Sequence, residues 1–138
     1  MSILFSQLFN TENSCYGPNE CCGGATECIT PQFFEYKQST TQAFYFIFNA
    51  FIKENEIDGN DWIAAFKGSV CVGARMWNGE MTDIPTMGYD GSLITETYMM
   101  PGDFPTFKIF DTSEGIIYNT VSSEIAGWEN MEFLNIEA

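Results

Sequence analysis

Asp61-Trp62-Ile63-Ala64-Ala65-Phe66-Lys67-Gly68-Ser69-Val70-Cys71-Val72-Gly73-Ala74-Arg75-Met76-Trp77 is the stretch that decides the fold class. Trp62, Ala64 and Phe66 alternate on one face, Lys67-Gly68 turns the chain, and Val70 and Val72 continue a core face between Ser69 and Arg75. Period-two alternation on both sides of a short turn is the pattern of a β-hairpin. Upstream, Thr41 to Ile52 sets Phe44, Phe46 and Phe48 on one face and Tyr45 and Ile47 on the other, which reads as a strand buried largely on both sides. Asp58-Gly59-Asn60 turns it toward the hairpin.

Downstream, Met76 to Gly91 holds Asn78-Gly79, Pro85 and Asp90-Gly91 and reads as loop. Ser92 to Tyr98 reads as a polar edge strand. Thr106 to Asp111 is a strand with Phe107 and Ile109 facing inward, Ile116 to Val121 is its neighbour, Ser122 to Glu129 is loop, and Phe133 to Ile136 closes the domain. No window of useful length has helical spacing with caps. Six or seven short strands predict an all-β fold: a single, mostly antiparallel β-sandwich of the jelly-roll or immunoglobulin-like kind over residues 33–138. Residues 1–32 form an N-terminal arm and an irregular Cys-rich segment.

The 138 residues suffice for one domain, and 45% apolar with 16% aromatic content rules out a disordered acidic tail. Nineteen acids face five Lys and Arg, a net charge of -14, which disfavours nucleic acid and anionic lipid. The chain has no His, which removes Ser-His-Asp and Cys-His catalysis and His-ligated zinc. A paired-carboxylate mechanism survives, but among nineteen acids some pair meets its spacing by chance. The expectation is therefore no enzyme, with a small secreted hydrolase as the contrary reading. No stretch approaches the roughly 20 apolar residues of a spanning helix, so no membrane insertion is expected, and the first residues lack the basic start and cleavage site of a signal peptide.

Cys15, Cys21, Cys22 and Cys28 lie in one Gly-rich segment. Two disulfides in any of three connectivities, an all-thiolate zinc site and free thiols all fit, although adjacent Cys21-Cys22 suits zinc poorly. Cys71, inside Val70-Cys71-Val72, reads as a small buried hydrophobe. Asp58, Asn60 and Asp61 superficially resemble part of a calcium loop without its regular spacing or distal Glu, so calcium is an alternative to ordinary turn chemistry and no cofactor is the default. Trp77, Tyr89 and Trp128 lie in or beside loops, where they would stack on sugar, meet a protein or cap the core.

With Met87-Gly88-Tyr89-Asp90-Gly91 and Pro101-Gly102-Asp103-Phe104-Pro105-Thr106-Phe107-Lys108-Ile109-Phe110-Asp111, the opening hairpin resembles β-sandwich modules of the virion structural proteins of marine tailed phages, of the tail-fibre or capsid-decoration type. Hairpins similar to Asp61 to Phe66 also occur in secreted bacterial surface proteins. The likeness covers about residues 40 to 137, is one of strands and turns, and carries no catalytic motif. It implies a multi-copy structural or assembly protein of a bacteriophage, placed on the virion surface after cytoplasmic assembly, with other virion proteins and itself as partners. The alternative is an extracellular carbohydrate- or cell-surface-binding module. In the first case the apolar arm, with Ile3, Leu4, Phe5, Leu8 and Phe9, would dock on another subunit of a homo-oligomer.

Overall fold

A computed structural model of the chain describes residues 3–10, 31–122, 125–131 and 133–136, with backbone alone at 3–10 and 133–136. Its strands are β1 (Ile3–Asn10), β2 (Gln42–Ile47), β3 (Phe51–Ile52), β4 (Asn55–Glu56), β5 (Trp62–Lys67), β6 (Val70–Met76), β7 (Thr82–Met87), β8 (Thr106–Asp111), β9 (Ile116–Ser122) and β10 (Phe133–Ile136). Two 3-10 turns, Gln32–Phe34 and Leu93–Thr95, are the helical pieces among the described residues. The protein is all-β. No helix among the described residues is long and apolar enough to cross a membrane.

One sheet has the order β1-β9-β8-β5-β6, a second β10-β2-β7, and β3-β4 is a small hairpin. The first sheet is antiparallel throughout. In the second, β2 and β7 are antiparallel while β10 lies parallel to β2, with Phe133 beside Phe44 and Ile136 beside Ile47. The hairpin that opens the sequence reading is β5–β6, Trp62 opposite Met76 and Lys67 opposite Val70, with a register slip between Ala65 and Phe66. Gly68 in its turn has a φ of 60, a backbone conformation that a Cβ disfavours.

Alternation along these strands divides the apolar residues between two clusters. Ala43, Tyr45 and Ile47 of β2 and Ile84 and Met87 of β7 pack with Ile63 and Ala65 of β5 and Phe107 and Ile109 of β8. Trp62, Ala64 and Phe66 of β5, Phe110 of β8 and Ile117 of β9 form the other cluster, covered by Phe34 of the first 3-10 turn. Strand β5 is thus buried on both faces, which accounts for its unbroken apolar run. At Gly73 of β6 a Cβ would lie 1.6 Å from the Pro85 carbonyl oxygen of β7. Only glycine fits there.

Several expectations need correction. The core face of β2 is Ala43, Tyr45 and Ile47, while Phe44 and Phe46 are half-buried on the other side. Tyr45 enters the core because its hydroxyl donates to the Ala126 carbonyl at 2.9 Å and its ring meets Phe107 edge-on at 5.6 Å. The stretch read as loop contains β7, with Pro85 opposite Phe44 on the outer strand of its sheet, where a missing amide is tolerated. Ser92 to Tyr98 is a turn-rich loop and no strand. The boundary drawn at residue 32 does not set the arm apart: Ile3–Asn10 is hydrogen-bonded to β9, from Ile3 opposite Ser122 to Asn10 opposite Ile116. The backbone of Ile3, Leu4, Phe5, Leu8 and Phe9 therefore lies in the chain's own sheet; their side chains are outside what the structure describes, as are Cys15, Cys21, Cys22 and Cys28.

Candidate functional site

The segment from Gly88 to Phe104 carries several of the most exposed apolar side chains among the described residues, on a loop held by many hydrogen bonds. Its entry is fixed by backbone: Gly88 N–H donates to Thr41 O at 2.9 Å, Tyr89 N–H to Met99 O at 2.9 Å, and Met99 N–H to Met87 O at 3.2 Å. Gly88 is required because a Cβ would fall 2.3 Å from the Trp128 ring.

Asp90 is the hub. One carboxylate oxygen accepts from Thr40 N–H at 3.1 Å and Ser39 Oγ at 3.2 Å, the other from Thr95 Oγ1 at 2.8 Å and Ser92 N–H at 3.1 Å. The Thr40 amide, then the Thr95 and Ser92 donors, hold this carboxyl well below the usual carboxylate range. Asp103 staples the far end. It forms an ion pair with Lys67 at 2.8 Å and accepts Met100 N–H at 2.8 Å, and Lys67 first, then the amide, lowers its carboxyl too. Lys67 Nζ also donates to Tyr98 O at 3.0 Å. Gly102 and Asp103 exchange backbone bonds with Trp128 at 2.9 and 2.7 Å.

What this frame displays is apolar. Leu93 is 84% exposed and Ile94 66%, both on the 3-10 turn, and Tyr89, Met100 and Phe104 stand out from the same loop. Thr95, behind Leu93 and Ile94, is buried. Chain composition gives no hint of this patch; a signal existed in Ser92-Leu93-Ile94-Thr95, where adjacent apolar residues break the period of any half-buried strand.

Of the three aromatic ligand-binding candidates, only Tyr89 is exposed. Trp77 and Trp128 belong to the larger core cluster, 4% and 2% exposed, so neither can stack on a sugar. The Trp128 indole N–H is satisfied by Thr86 O at 2.8 Å, which is what lets it be buried.

The calcium candidates serve the turn that precedes β5. Asp61 is buried, and its two carboxylate oxygens accept from Asp58 N–H at 2.8 Å and Thr112 N–H at 3.0 Å. The Thr112 hydroxyl donates to Asn60 O. Burial pushes the Asp61 carboxyl up to about 6, against the two amides that pull it down. Asp58, Asp61, Asp111 and Glu114 share a cleft of about 250 Å3, but Asp111 Oδ1 is taken by Ser113 N–H and Oγ at 3.1 and 2.7 Å. Among the described residues no group of three or more His, Cys, Asp or Glu is placed to hold a metal ion. The cleft is built as turn chemistry joining the β4–β5 and β8–β9 connections.

Cys71 is buried, its thiol pushed up to about 12 by desolvation and directed at Gly73 O at 3.5 Å. A thiol so protonated is a poor nucleophile.

No family model matches the chain, and neither a curated protein nor a solved structure matches it.

Proposed function

We propose that the chain is a non-enzymatic structural protein that assembles with copies of itself through the Tyr89–Phe104 loop, carried on a two-layered β-sandwich. The observation that carries this reading is the display of Leu93 and Ile94 on a loop pinned by Asp90 and Asp103. Apolar side chains held in water at roughly 25 cal/mol per Å2 of exposed area are stabilised when a partner covers them, and a pre-ordered loop loses little entropy on docking. The sandwich is supported by the cluster that draws buried side chains from both larger sheets. A place on a virion surface rests on the resemblance of about residues 40 to 137 alone. The sugar-binding alternative retains Tyr89 but loses both tryptophans.

A net charge of -14 opposes self-association, and salt shortens that repulsion from about 10 Å at 0.1 M to about 3 Å at 1 M. Light scattering at several protein concentrations, in low and high salt, tests the reading. The expected result is a whole multiple of the monomer mass, favoured by salt, that reverts to monomer in the Leu93→Ser, Ile94→Ser double variant. A strict monomer in both salts contradicts self-assembly and assigns the loop to a different protein.

A further inference from the structure

On the outer face of the five-stranded sheet, Phe34, Phe66 and Ile117 wall a cavity of about 210 Å3, with Phe33 and Ser69 also lining it. Phe34, Phe66 and Ile117 are buried, whereas Phe33 and Ser69 are exposed and mark its mouth. The fold assembles it from four places: the Gln32–Phe34 turn, the end of β5 with its turn, β8 and β9. Lys108 of β8 completes the lining, its ammonium 4.7 Å from the centroid of the Phe66 ring.

Lys108 is the anomaly. Among the described residues Lys67 pairs with Asp103 and Arg75 with Asp83, and Lys37 and Lys53 are exposed. Lys108 is half-buried and meets no carboxylate among the described residues, in a chain where acids outnumber bases nineteen to five. Its environment already costs it charge, since desolvation lowers its pKa. A half-buried ammonium against carbon walls is completed by an anion that brings its own apolar body.

We propose that the cavity formed by Phe33, Phe34, Phe66, Ser69, Lys108 and Ile117 binds a small monoanion in which a carboxylate is joined to a compact apolar or aromatic body. One cation matches one negative charge, which favours a carboxylate over a phosphate dianion, and the Ser69 hydroxyl at the mouth supplies a neutral donor. The volume lies below the roughly 300 Å3 at which drug-sized sites begin, so the body is on the scale of a single ring. Nothing in the self-assembly reading requires this site, which is on a different part of the molecule.

The test is titration of the full chain with phenylacetate and with its neutral isostere phenylacetamide, followed by NMR of the Ile117 methyls and by calorimetry. Saturable shifts at Ile117 are expected with phenylacetate, and binding of the amide weaker by about tenfold or more, the scale of a charge-assisted hydrogen bond. Lys108→Met should lose the same factor without lowering the Tm, and Lys108→Arg should retain binding; Lys108→Gln substitutes for the Met variant should that one not fold. Equal affinity for acid and amide, undiminished phenylacetate binding in the Met or Gln variant, or no saturable shift with either phenylacetate or hexanoate overturns the proposal.

Discussion

Consecutive residues of β8 stand in two different interiors. Phe107 and Ile109 join the cluster that draws side chains from both larger sheets, where every buried polar group described nearby has a partner: Tyr45 hydroxyl on Ala126 O, Trp128 indole on Thr86 O, and Lys37 N–H on the Tyr98 hydroxyl at 2.7 Å. Lys108 and Phe110 point the other way, Phe110 into the second apolar cluster. There, among the described residues, the Trp62 indole nitrogen is buried without a hydrogen-bond partner and Lys108 has no counter-ion. An orphaned buried donor costs about 1–3 kcal/mol, so the two faces differ little in burial and much in polar satisfaction. The inner face is completed by the chain itself and holds the sheets together. On the outer face these two polar groups have no partner among the described residues.

The largest effect that would break this comparison is at the seam between the sheets. Gly73→Ala places a Cβ on the Pro85 carbonyl, and unfolding in urea should show a loss above about 4 kcal/mol. A loss below about 1 kcal/mol would mean that β6 and β7 do not meet there.

Next comes the Asp61 carboxyl, raised from 3.8 to about 6 by burial. Between these values the folded state binds more protons than the unfolded, so this group's contribution to stability falls as pH rises from about 4 to about 6. Relative to wild type, Asp61→Asn should therefore gain about 1–3 kcal/mol on going from pH 4 to pH 7, measured by denaturant unfolding at both. A constant difference would show that Asp61 ionises freely.

The smallest effect sharpens the assignment of faces on β2. The sequence places Phe46 and Phe107 alike in the core, which would make either Ala substitution cost about 3–5 kcal/mol. With Phe46 only half-buried, Phe46→Ala should cost about 1–2 kcal/mol. Equality with Phe107→Ala would return Phe46 to the core.

Where alternation and turn chemistry agreed, the fold could be read from the chain. Strands β5 and β6 with the Lys67-Gly68 turn, β8 with Phe107 and Ile109 inward, β9 and β10 all lie where their patterns put them. It could not be read where a local signal was outvoted by tertiary context. Pro85 and the nearby Asn78-Gly79 argued against β7, but an outer strand tolerates a proline. Three alternating phenylalanines made both faces of β2 read as buried, whereas only the Tyr45 face is core, its hydroxyl taken by the Ala126 carbonyl, and Phe44 and Phe46 are half-buried. Strand β10 runs parallel to β2 although neighbouring signals were all for hairpins, since register with a distant strand leaves no local mark. Of the candidate sites, the aromatic triad dissolved into two core tryptophans and one exposed tyrosine. The Leu93–Ile94 display and the Lys108 cavity depend on which side chains come together, which spacing along the chain does not encode.

The comparison of the two faces is tested most directly by measuring, side by side in urea, the unfolding of Phe107→Ala and Lys108→Met. These neighbours in sequence should behave oppositely: a loss of about 3–5 kcal/mol for Phe107→Ala, and no loss or a gain of up to about 1 kcal/mol for Lys108→Met. Destabilisation by Lys108→Met as large as that by Phe107→Ala would contradict the account, because Lys108 would then be part of what holds the sheet together.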